Sequence, residues 1–213
     1  MKNNIQDIIS GYLDFQDLHF KENEDRFKQL INDGQHPKAL FIGCSDSRVV
    51  PEMITNSEPG ELFIVRNVGN FVAPFKPDED FHATASAIEY AVGVLNVTDI
   101  IICGHSHCGA IEALYSDLKY DTDIIHTMKW LELGKEAKEF ALSSMPNAAK
   151  KELLRYTEKA SIVFQLKNLL TYPIVEKRAK EKKLFVHGWY YDIGSGKISY
   201  YDNKENIFKP LGD

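Results

Sequence analysis

The chain has 213 residues, 44% of them apolar, and its 25 Lys and Arg against 31 Asp and Glu give a net charge of −6. That length suits one α/β domain with a full core and is short for two, and the acidic balance argues against nucleic acid as the main partner, because phosphate binding wants a basic face. Asp7, Asp14 and Asp17 interrupt the apolar stretch a signal peptide would need, and no run reaches the length of a membrane span.

Ile5, Ile8, Ile9, Tyr12, Leu13 and Phe15 recur at helical spacing over 4–20. A charged helix carrying Phe27, Leu30 and Ile31 follows over 21–33, until Gly34 and Pro37 stop it. "KALFIG" reads as a buried strand, Pro51 opens a short helix at "PEMI", and Leu62 to Arg66 form a second strand. A helix over 80–95 puts Ala83, Ala87, Ile88, Ala91 and Val92 on one side; "TDIIICG" is a third strand and "CGAIEALY" opens the next helix. Helices over 124–140 and 148–171 are separated at Pro146, and a short basic helix covers 174–182. "KKLFVHGWYYD" and "KISYYD" then alternate as strands joined by the turn "IGSGK". Strands alternating with helices predict an α/β fold: a mostly parallel central sheet flanked by helices, with an antiparallel edge strand at the C-terminus. The expected organisation is a single domain over 1–213. It comprises an N-terminal helical arm (1–33), a core bearing the chemistry (34–115), and C-terminal helices and edge strands (116–213).

The chemistry sits where strands end. In open parallel sheets ligands bind beyond the carboxyl ends of strands, so Cys44 after the first strand and His105 with Cys108 after the third can meet despite their distance in sequence. Three cysteines are an odd number and too few for a disulfide framework, so reduced thiols and a cytoplasmic location are expected. Cys, His and Cys are a Zn²⁺ ligand set, and three protein ligands with one open position are the catalytic pattern. Asp46 is either a fourth ligand or the acceptor of a hydrogen bond from a zinc-bound water. Arg48 can fork onto its carboxylate, and alternation along an extended loop lets Cys44, Asp46 and Arg48 face one site. Cys103, inside its strand, reads as a small buried hydrophobe. Of the two neighbouring histidines, His105 is the ligand and His107 a loop residue near the mouth, while His187 has a structural hydrogen bond.

"CSDSRV" (44–49), "PGELFIVRNVGN" (59–70), "AIEYAV" (87–92) and "GHSHCG" (104–109) together resemble the β-class carbonic anhydrases, strongly over about 34–115. The resemblance implies a zinc enzyme, one Zn²⁺ per chain on Cys44, His105 and Cys108, that reversibly hydrates carbon dioxide to bicarbonate and a proton through a zinc-bound hydroxide. It also implies that Asp46 and Arg48 form the catalytic dyad. Gln35 matches the glutamine that hydrogen-bonds substrate, and Phe63 and Tyr90 match the aromatic walls, which the plant-like branch takes from a neighbouring subunit. Phe41 stands where an allosteric subgroup has Trp, which places the chain with the plant-like, non-allosteric branch. Two positions depart from the family's usual pattern: Gly69 where Ala is common, and Ala110 where Gly is common. The expected partners are the small-molecule substrate and further copies of the chain, as a homodimer or larger, with no nucleic acid and no membrane. Hydrolysis of carbonyl sulfide or carbon disulfide by the same centre, and a non-catalytic zinc module, are the competing readings.

Overall fold

Six strands form one sheet in the order β2-β1-β3-β4-β5-β6, seen in a computed structural model that describes residues 4–78, 80–116 and 122–212. β1 (Ala39–Cys44) lies between β2 (Leu62–Asn67) and β3 (Asp99–His105), and β4 (Phe185–Asp192) follows; these four run parallel. β5 (Lys197–Asp202) and β6 (Ile207–Pro210) continue the sheet antiparallel. The sequence reading ends at β5. β6 is four residues long and ends in Pro210, too short to show an alternation and lacking a donor at its last position.

β1 is buried along its whole length, as an inner strand of a parallel sheet must be when both faces are covered. Its side chains alternate between two cores. Leu40 and Ile42 join Ile88, Val92, Ile100, Ile102 and Ile162 on one face; Ala39 and Phe41 meet Ile101, Cys103 and Trp189 on the other. Cys103 is thus a core residue, fully buried, with burial pushing its thiol up to about 12.

Helices occupy the connections. α3 (Pro51–Thr55) links β1 to β2, and α4 (Ala83–Glu89), extended by a π-helical turn through Val94, links β2 to β3. α5 (Gly109–Ala113), α6 (Ile125–Leu131), α7 (Lys135–Ser144), α8 (Lys150–Leu169) and α9 (Pro173–Lys180) lead to β4. The helix expected over 124–140 is interrupted by a 3₁₀ turn at Glu132–Gly134, which divides α6 from α7. α8 lies against β3 closely enough that a Cβ at Gly104 would come within 2.7 Å of Ile162, so only glycine fits there.

The N-terminal arm is different. α1 (Asn4–Asp14), its π-helical continuation Phe15–Phe20, and α2 (Glu24–Asp33) bury no side chain fully among the described residues 5–33. Ile8 is 68% exposed and Leu18 57%. Apolar side chains at helical spacing are present, as the sequence indicates, and Phe15, Phe20 and Phe27 pack on one another, but most of the apolar surface of the arm stays exposed. Among the described residues no helix is long and apolar enough to cross a membrane.

Candidate metal centre

The register of β1 against β3 sets Gly43 opposite Cys103, so the chain leaves the sheet at Cys44 and at His105 side by side. Beyond His105 the backbone turns through His107, which has a positive φ of 60° and is exposed, and Cys108 then precedes the first turn of α5. The result is a triad. One ligand atom each from Cys44, His105 and Cys108 lies within 4.8 Å of the others, and all three residues are buried.

His105 Nδ1 sits 2.9 Å from the Ser106 carbonyl, which can only accept, so the ring proton is on Nδ1. Nε2 is left with a lone pair, buried and without a hydrogen-bond partner. An unsatisfied buried acceptor is expensive, and aimed beside two sulfurs it has the arrangement a metal ion satisfies. The thiols point the same way. The Cys44 thiol is drawn well below the usual thiol range, first by the hydrogen bond from Cys108 and then by backbone N–H groups including that of Gly69, whose nitrogen lies 3.4 Å from Sγ. Cys108 is pushed up by the same bond and by burial. Two sulfurs sharing one proton, beside a free imidazole lone pair, are a soft N/S donor set suited to a borderline cation such as zinc.

The dyad forms as the spacing suggests. Arg48 Nε donates to Asp46 Oδ1 at 2.8 Å and Nη2 to Oδ2 at 2.6 Å, while the Arg48 backbone N–H also reaches Oδ1 at 3.0 Å. The Arg48 side chain holds the Asp46 carboxyl well below the usual carboxylate range. Arg48 Nη2 also donates to the His107 carbonyl at 2.9 Å, tying the loop after β1 to the loop that carries Cys108. Asp46 Oδ2 lies 4.0 Å from His105 Nε2 and so borders the triad without displacing its lone pair.

Gln35, Phe63 and Tyr90 are elsewhere. Phe63 pairs with Leu40, whereas Cys44 pairs with Asn67, so Phe63 stands about 13 Å back along the sheet at the usual strand rise. Tyr90 lies beside Phe63 with ring centroids 5.9 Å apart and the rings tilted by 32°, and Gln35 is exposed ahead of β1. All three lie toward the opposite end of β1 from their own chain's triad. His187 bonds Asp99 at 2.8 Å, the structural contact expected of it. A second group, Asp78, Asp80 and His82, has ligand atoms close together, but Lys76 already sits 2.9 Å from Asp78 and neutralises it.

Several supports escape a reading of the sequence. Arg66, on β2, donates to the carbonyls of Cys44 at 3.0 Å and Asp46 at 2.7 Å. Ser106 Oγ donates to Asp192 at 3.1 Å, anchoring the residue whose carbonyl orients His105 to the end of β4. Glu158 of α8 accepts the Cys108 backbone N–H at 3.1 Å. The available signal was a carboxylate on the helix stripe that continues as Ile162 and Leu166, where an apolar residue belongs.

A family model described as carbonic anhydrase matches residues 39–198. A carbonic anhydrase of Pseudomonas aeruginosa is 40% identical over 209 residues, covering 98% of this chain and 93% of the relative. The solved β-carbonic anhydrase CcaA superposes with a TM-score of 0.88 at 35% identity, over 99% of this chain and 93% of that one. A β-carbonic anhydrase of Sordaria macrospora, described as tetrameric, gives a TM-score of 0.82 at 30% identity, over 100% and 98%.

Proposed function

The chain belongs to the β-class carbonic anhydrases, lyases that reversibly hydrate carbon dioxide to bicarbonate and a proton, and from that premise we propose how its own residues divide the work. Cys44, His105 and Cys108 hold one zinc ion per chain. Zinc in such a set supplies a Lewis acid that brings the pKa of water toward neutrality. Asp46 accepts a hydrogen bond from the attacking water and so aims its lone pair at the substrate carbon. Arg48 keeps Asp46 ionised and oriented through the fork at 2.8 and 2.6 Å. The observation that carries this reading is the buried, unpartnered Nε2 of His105 beside two thiols.

The substrate pocket is shared between copies. Gln35, which polarises a substrate oxygen, and the walls Phe63 and Tyr90 serve a neighbouring chain's triad, since Phe63 lies about 13 Å from the level of its own along β1, Tyr90 sits beside Phe63, and Gln35 precedes β1. A trough lined by Val68, Phe75, Phe81 and Trp130 also includes Ser45, next to Cys44, and the exposed apolar residues of the arm over 5–33 give a second copy something to dock. The working unit is a homodimer or larger assembly of a single-domain chain whose zinc core spans 34–115. Phe41, buried edge-on against Trp189, offers no indole N–H, in keeping with the plant-like, non-allosteric branch. Three free buried thiols suit the reducing cytoplasm.

The test is zinc content per chain measured with the hydration rate. The unsubstituted chain is expected to hold one zinc and to be active. Cys44→Ser should lose both. Asp46→Ala should keep zinc and lose about 100-fold or more in kcat. A reduced, folded chain without zinc would sink the assignment, and loss of zinc in Asp46→Ala would make Asp46 a ligand.

A further inference from the structure

Glu158 is a carboxylate that the hydration chemistry does not use, yet its side chain is 1% exposed. Burying a carboxylate is costly unless several donors meet it. Three groups meet it. Oε1 accepts the Cys108 backbone N–H at 3.1 Å and forms an ion pair with Arg155 Nη2 at 2.7 Å, and Oε2 accepts the Tyr190 hydroxyl at 2.9 Å. Arg155 and Glu158 are a turn apart on α8, Tyr190 comes from β4, and Cys108 from the loop after β3. One side chain therefore joins a helix and a strand to the third ligand of the centre.

Cys108 needs such a partner. It precedes α5 with an extended backbone (φ −71°, ψ 117°), and α5 is only five residues long, so its N–H lies outside any helical ladder. The turn that delivers it passes through His107 in the left-handed region, an uncommon conformation for a non-glycine residue. Nothing in "HSHC" by itself fixes where the sulfur ends up. Glu158 is placed to do so because α8 meets β3 at Gly104, and Ile162, which occupies that contact, is one helical turn further along.

We propose that Glu158, held by Arg155 and Tyr190, is a positioning residue for the metal centre: by accepting the Cys108 N–H it sets the Cys108 sulfur at the distance the other two ligands require. This rests on the assignment of Cys44, His105 and Cys108 as zinc ligands. Partners behind metal ligands typically govern metal affinity by about 10–100-fold.

The experiment is zinc affinity of the full-length chain by competition with a chelator, with circular dichroism confirming the fold. Glu158→Leu should bind zinc about 10–100-fold more weakly. Glu158→Gln keeps an acceptor for the Cys108 N–H and should stay within about threefold of the unsubstituted chain. Equal affinity in Glu158→Leu overturns the proposal, and so does a Glu158→Gln chain as weak as Glu158→Leu. Should Glu158→Leu not fold, Tyr190→Phe decides: freeing Oε2 is expected to weaken zinc about threefold, and an unchanged affinity overturns the proposal. If the unsubstituted chain holds no zinc, the ligand assignment falls and this inference with it; if it does, the variants judge Glu158 alone.

Discussion

Gly69→Ala tests the wall of the metal centre most sharply, because two departures from the family's usual pattern meet in space. Gly69 has a φ of 83°, and a Cβ built there would lie 2.8 Å from Phe71 Cζ and 3.0 Å from the Ala110 Cβ. Phe71 is fully buried and Ala110 nearly so, so neither recedes freely. The chain carries one methyl at this contact, on Ala110. An L-residue in the left-handed region costs about 1–2 kcal/mol, and overpacking a core adds about 1–3 kcal/mol. Gly69→Ala should therefore destabilise the chain by about 2–5 kcal/mol, or on the order of 4–20 °C in Tm for a chain of this size. Ala110→Gly alone should cost about 0.5–1 kcal/mol. The double variant should be less destabilised than the sum by about 1 kcal/mol, since removing the Ala110 methyl frees the space the new one needs. The assay is urea and thermal unfolding of the metal-free chain at one fixed protein concentration, because assembly makes Tm depend on it. Additivity to within about 0.5 kcal/mol would refute the claim that the two positions share one space.

Complementation tests the shared pocket. Chains with Cys44→Ser and chains with Gln35→Ala, each inactive or impaired alone, should recover about a quarter of wild-type activity when unfolded and reassembled together, because half of randomly paired dimers hold one intact composite site. No recovery would mean that Gln35 serves its own chain. Cys103 carries a pH signature: burial raises its thiol to about 12, above its unfolded value of 9.0. The folded chain keeps that proton while the unfolded chain sheds it, so the stability it contributes below pH 9 is lost as pH rises toward 12. Urea unfolding of the metal-free chain should weaken across that window, and less steeply in Cys103→Ala; equal slopes would contradict the assignment.

Local residue types alone mark out the candidate donor set and most of the fold. Apolar runs mark β1 and β3, and their last residues, Cys44 and His105, are two members of the candidate metal triad, because a buried strand and a soft donor set are both written in local residue types. Asp46 and Arg48 were legible for the same reason, two positions apart on one extended loop. Tertiary structure alone decided what depends on register and packing. The pairing of β1 with β3 brought Cys44 to His105, the close approach of α8 at Gly104 put Glu158 behind Cys108, and the length of β1 separated Gln35 and Phe63 from their own triad. Those relations join residues far apart in the chain through backbone hydrogen bonds and side-chain volume, and no short stretch of sequence carries that information.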